Sequence, residues 1–138
     1  MGDYQSLDVW QRAMELAEEI YKLIDKLPRE ERFALCDQMR RAVVSIPSNI
    51  AEGKGRNSDK EFIYFLKIAM GSKCELETQL ILCERLHFLE RNETLIAWKL
   101  CGIVGKKLNS LKNTLKSSII NSKKYKMKTK HRIMTKER

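Results

Sequence analysis

Proline occurs only at positions 28 and 47 of the 138 residues. A chain so poor in the residue that breaks helices can form long ones. No stretch alternates apolar and polar residues as a half-buried strand would. Histidine is confined to positions 87 and 131. Ser45 and Ser72 therefore have no histidine that the pattern brings near them, and no nucleophile–base pair is visible. No window reaches about 18 uninterrupted apolar residues, which excludes a membrane-spanning helix. The N-terminus shows no basic, then apolar, then small-residue leader, so no secretory signal is expected. The four cysteines at 36, 74, 83 and 101 contain no C-x-x-C pair. They fall at core-like helical positions and read as reduced, buried thiols of a cytoplasmic protein. No catalytic residue, cofactor, metal or small-molecule substrate is expected.

What is present is helical periodicity. Val9, Ala13, Leu16, Ile20, Leu23 and Leu27 are spaced 4, 3, 4, 3, 4, the seam of a helix packed in a bundle. Trp10, Met14, Ala17, Tyr21 and Ile24 form a second apolar line beside it. This predicts a first helix over about 7–26, capped by Asp3 or Ser6 and ended by Pro28. A second helix is expected over about 30–52, with Leu35, Met39, Ala42, Ile46, Asn49 and Gly53 on one face. Pro47 lacks an N–H and crowds the carbonyl of Val43, so this helix should kink or restart. Ser45 or Ser48 is expected to meet the freed carbonyl, and Gly53 to supply a left-handed stop.

Ser58 to Glu61 reads as a capping box opening a third helix over about 59–89. Its seam runs Phe62, Leu66, Ala69, Lys73, Leu76, Leu80, Cys83 and His87, with Lys73 as a break. Asn92 is expected to cap a fourth helix over about 93–117. Gly102 and Gly105 within it suggest close approach by a neighbour. The fold read from these seams is all-α, an antiparallel up-and-down four-helix bundle with a Pro-kinked second helix. The bundle occupies residues 1–117. Residues 118–138 lose the apolar period and read as a basic, flexible tail.

Charge is uneven. The chain has a net charge of +9, and residues 117–138 hold eight cations against Glu137, a net of +7 that leaves +2 for the rest. Lys123, Lys124, Lys126, Lys128, Lys130 and Arg132, with Tyr125 and His131 among them, suit phosphate contact with base stacking. Arg40, Arg41, Lys54, Arg56, Lys60, Lys67 and Lys73 offer a second basic face along helices 2 and 3, or an ordinary solvated one. Lys54, Arg56 and Lys60 lie beside the N-terminus of helix 3, where amides favour anions. Gly53-Lys54-Gly55 is not a phosphate loop, since the spacing fails and no strand precedes it. Glu84-x-x-His87 is half of a di-metal bundle site and lacks the other half. The wide apolar stripes, with Tyr64, Phe65 and Trp98 off the main seams, point to a homo-oligomer.

The run Gln38-x-x-Arg41-x-x-x-Ser45-Ile46-Pro47-x-Asn49-Ile50-Ala51-Glu52-Gly53 resembles the signature of the four-helix-bundle family encoded in intervening sequences of bacterial large-subunit ribosomal RNA genes. Val9-Trp10-Gln11-x-Ala13 with Ile20-Tyr21, and Ala69-x-Gly71-Ser72-x-x-Glu75-Leu76-Glu77, are similar to its first and third helices. The likeness spans roughly residues 4–118. Members resemble the accessory protein of diversity-generating retroelements, a pentameric nucleic-acid binder. The resemblance implies the bundle, a pentamer and, as partner, RNA or DNA. It also points to a polar network of Gln38, Ser45, Asn49, Glu52, Ser72 and Glu75. Such a network fixes helix register. A direct ligand-binding role for Ser45, Asn49, Ser72 and Glu75 stays open, as does a scaffold oligomer that binds another protein.

Overall fold

The computed structural model describes residues 3–136. Four helices follow in order: α1 Asp8–Ile24, α2 Leu35–Lys54, α3 Asp59–Arg85 and α4 Arg91–Lys136. Among the described residues there is no strand. α1 packs on α2 and α4, and α3 packs on the same two. The short connections make sequence neighbours antiparallel, so the chain runs up and down around one core. Leu16, Ile20, Met39, Ile46, Leu66, Leu76, Leu80 and Leu108 are among its fully buried side chains. Truncating one such leucine to alanine costs about 2–5 kcal/mol, the loss of transfer energy plus a cavity. No helix among the described residues is long and apolar enough to cross a membrane.

Local chemistry explains where the boundaries depart from expectation. The N-cap of α1 is Leu7, which makes no side-chain cap. A 3₁₀ turn over Asp3–Ser6 precedes it, fastened by Gln11 Nε2 donating to the Gln5 carbonyl at 2.9 Å. After Pro28 the chain forms a 3₁₀ turn, Arg29–Glu31, with nothing buried. α2 therefore begins at Leu35, beside buried Cys36, rather than at Glu30. It continues through buried Pro47 without restarting. Ser45 and Ser48 do not serve the Val43 carbonyl: the Ser45 hydroxyl pairs with Ser72, and Ser48 is exposed.

Gly53 is no left-handed stop, since no described glycine has positive φ. It is buried inside α2, where an added Cβ would sit 2.8 Å from both Phe62 and Phe65. Glycine there lets α2 and α3 meet at their turn. Ser58 caps α3 as expected, accepting from the Glu61 N–H at 3.2 Å. α3 stops at Arg85, short of 89, because His87 takes φ 60°. The Phe88 N–H bonds the Cys83 carbonyl and the His87 N–H the Glu84 carbonyl, which is the Schellman closure usually built on glycine. α4 starts at Arg91, and Glu93, not Asn92, closes its first turn by accepting the Glu90 N–H at 2.9 Å.

The largest departure is at the other end of α4. The helix does not stop near Ser117 but runs 46 residues to Lys136. Lysine and methionine favour helix, and no proline or glycine follows Gly105. Losing the apolar period removed packing partners without supplying a breaker. Leu108 is the last buried residue, Leu111 and Leu115 still rest on the core, and residues 120–136 are all exposed. Glu137 and Arg138, which entered the tail charge, lie outside the described residues.

Candidate nucleic-acid interface

Sorting the expected cations by their partners divides them. On α2, Arg40 pairs with Asp37 at 3.3 Å. Arg56 pairs with Glu52 at 2.7 Å and lies over the Phe65 ring. On α3, Lys73 is 12% exposed and its ammonium meets Glu77 Oε1 at 2.6 Å. Its stem crosses α4 at Gly105, where an added Cβ would lie 3.1 Å from Lys73 Cε. Lys73 thus belongs to the packing, snorkelling to its carboxylate, and Gly105 makes room for it. Gly102 meets nothing within 4 Å. That leaves Arg41, Lys54, Lys60 and Lys67 exposed without a carboxylate partner among the described residues. Lys54 lies 6.0 Å from the Phe62 ring centroid. The α2–α3 face is therefore half neutralised.

On α4 the balance is different. Between Glu93 and Glu137 the sequence has twelve cations and no acid: Lys99, Lys106, Lys107, Lys112, Lys116, Lys123, Lys124, Lys126, Lys128, Lys130, Arg132 and Lys136. Residues 1–93 hold 14 cations against 17 acids, a net of −3. The division of charge falls at Glu93, in the first turn of α4, and not at Ser117. Lys99, Lys106, Lys107, Lys112, Lys116 and Lys136 were missed as candidates, although the acid-free run was legible in the sequence. Lys107 is tied to Asp8 of α1, and this hydrogen bond, with the Lys107 and Arg12 charges, outweighs desolvation and lowers the Asp8 carboxyl below its ordinary range. Among the described residues, no cation from Lys123 to Lys136 has an acidic partner.

The polar network contracts to three residues. The Ser45 and Ser72 hydroxyls meet at 2.8 Å across α2 and α3. Asn49 Nδ2 donates to the Ser45 hydroxyl at 2.9 Å and to its carbonyl at 2.8 Å. Ser72 is buried, and the pair of hydroxyls ties α2 to α3. Gln38, Glu52 and Glu75 are exposed and outside it, with Glu52 held by Arg56.

A second polar cluster went unforeseen. Glu84 accepts from Thr94 Oγ1 at 2.6 Å, Trp98 Nε1 at 3.1 Å and Arg91 Nη1 at 3.1 Å. Arg91 also stacks over the Trp98 ring at 5.1 Å. Burial pushes the Glu84 carboxyl up, but the three donors and the Arg91 charge outweigh it and hold it below its ordinary value. Glu84 thus joins α3 to α4. Trp98 serves this cluster rather than an external face. Among the described residues no group of three potential ligands could hold a metal. Burial raises the thiols of Cys83 to about 11 and Cys101 to about 12, while Cys74 is exposed, contrary to expectation.

Apolar surface remains on the outside. Tyr4, Trp10, Met14, Tyr21, Val44 and Pro47 line a groove of about 730 Å³ between α1 and α2. Tyr64 on α3 is 61% exposed.

Comparisons with known proteins fit this architecture. The crystal structure of a protein of unknown function from the S23 ribosomal protein family, from Bacteroides thetaiotaomicron, superposes with a TM-score of 0.70 at 28% identity. The likeness covers 76% of this chain and 95% of that one. No curated protein matches. The family model of the 23S rRNA-intervening sequence protein matches residues 5–110, which leaves the outer part of α4 beyond it. With its all-helical bundle and this match over most of its length, the chain belongs to the 23S rRNA-intervening sequence protein family.

Proposed function

We propose that the chain is a non-enzymatic binding protein that assembles as a homo-oligomer and holds nucleic acid, RNA or DNA, on the basic surface of α4. One observation carries the reading: a single helix bears twelve cations and no acid over residues 94–136, and its last 17 residues are exposed. Phosphate contacts release counterions, so such binding weakens as a power of salt concentration. The exposed groove between α1 and α2 supports assembly, since exposed apolar patches mark interfaces. A pentamer is the assembly that the family resemblance favours. The same groove supports the alternative, a scaffold oligomer that binds another protein.

Filter-binding titrations of the full chain and of a chain cut after Ser117, against structured RNA and duplex DNA over a range of salt, test the proposal. If about four cations of the extension engage, the cut flattens the log–log salt slope by roughly three units. Neutralising Arg56 and Lys60 instead changes it by at most about two. No binding to either polymer would leave the scaffold reading.

A further inference from the structure

At about 100° per residue, the exposed end of α4 sorts into four strips. Lys124, Lys128, Arg132 and Lys136 follow at intervals of four and make one cationic line. Lys123, Lys126 and Lys130, at intervals of three and four, make another, centred roughly 170° around the helix from the first. Two uncharged strips separate them. One holds Ile120, Met127 and Met134; the other holds Ser122, Thr129 and Ile133. All these side chains are exposed.

A helix that lies on a flat anionic surface needs one cationic face. On a bilayer, its other face is broad and apolar. Here each uncharged strip is too narrow for that, and the cations point two opposite ways. Opposed cationic lines need phosphates on both sides of the helix. The major groove of B-DNA supplies them: it is about 12 Å wide and admits an α-helix of about 10–12 Å diameter. The major groove of A-form RNA is too deep and narrow for side chains to read. The 19 residues 118–136 span about 28 Å, close to the roughly 34 Å of one duplex turn.

Resting on the nucleic-acid reading above, we infer that the end of α4 enters the major groove of duplex DNA, with one cationic line against each phosphate backbone. An uncharged strip then faces the base edges. Neither strip carries the Arg, Asn or Gln that reads a base by two hydrogen bonds, so binding is tolerant of sequence. The duplex also removes a cost of the free helix, the repulsion of like charges four residues apart.

Fluorescence anisotropy of the full chain against a 20-base-pair DNA duplex and the corresponding RNA duplex tests this. The DNA is expected to bind at least tenfold more tightly, with guanine N7 in the major groove protected from dimethyl sulfate and adenine N3 in the minor groove left open. The variant K123Q/K126Q/K130Q is expected to flatten the salt slope by about two to three units. The variant K124Q/K128Q/R132Q/K136Q is expected to flatten it by about three to four. Glutamine keeps helix propensity, and circular dichroism confirms that each variant folds. RNA bound as tightly as DNA, unprotected guanine N7, or a slope that responds to only one line overturns the groove placement while the broader nucleic-acid reading stands. Failure of the full chain to bind either duplex or a single strand overturns both.

Discussion

Glu84 shows how one side chain can hold two elements. Its carboxylate ends α3 and collects Thr94, Trp98 and Arg91 from the start of α4. Hydrogen bonds to a charged partner contribute about 1.5–3 kcal/mol each, so Glu84→Gln at pH 7 is expected to cost about 1–3 kcal/mol in urea unfolding. The pH dependence has a definite sign. The folded carboxyl sits below the ordinary value of 4.5, so its contribution is complete above that pH and fades as pH falls through the lowered value. The gap between wild type and Glu84→Gln should therefore be full at pH 7 and close as pH falls from 4.5 through the lowered value. A gap independent of pH would show that the charge is not what the three donors recognise. His87 offers an opposite test. It is exposed, at φ 60°, in a closure that favours glycine. His87→Gly is expected to stabilise by about 1 kcal/mol, whereas glycine in ordinary helical backbone destabilises by about 0.5–1 kcal/mol. A loss of stability on calorimetry would mean that the left-handed turn is absent.

Among the elements, α2 and α4 are the unusual ones. α2 keeps one continuous helix over a buried proline because its neighbours hold it. Ser45, Asn49 and Ser72 tie it to α3, and Gly53 lets the two helices meet. α4 is the reverse case, a helix that outruns its neighbours. Its inner part is anchored by Ala97, Cys101, Val104 and Leu108, and its outer part by none. Isolated helical segments owe little to packing, so cutting after Ser117 is expected to shift Tm by no more than about 2 °C. The same cut removes seven of the twelve cations of residues 94–136. A large fall in Tm would mean that the outer helix packs on another copy. The end of α4 was illegible because a period tells where a helix finds partners, not where it stops.

At the scale of the molecule, the charge is split between a slightly acidic three-helix part and a strongly basic fourth helix. Lys107–Asp8 and Lys26–Glu93 are two ion pairs that cross from one part to the other. The α1–α2 groove leaves Met14, Tyr21 and Val44 exposed. Light scattering at micromolar concentration is expected to give a multiple of the chain mass. Val44→Asp, a change outside the core, is expected to shift it toward one chain. A native monomer would refute the assembly.

The seams of residues 9–27, 35–53, 62–87 and 97–115 were enough to determine four helices, their order and most of the core. Seven-residue periodicity is a local property, and short turns leave antiparallel packing as the way to bury it. The acid-free run after Glu93 was equally present in the sequence. What only the tertiary structure decided is which polar residues are spent inside. Lys73 and Arg56 look like free cations in the sequence, but the stem of Lys73 packs on Gly105 of α4 and Arg56 lies over the Phe65 ring of α3. Glu84 looks like half a metal site, and instead receives donors from another helix. Gly53 and Gly105 look like a stop and a weak point, and instead admit Phe62 and Lys73. Each of these outcomes depends on which side chain a neighbouring helix presents at a few ångströms, and spacing along one chain does not contain that distance.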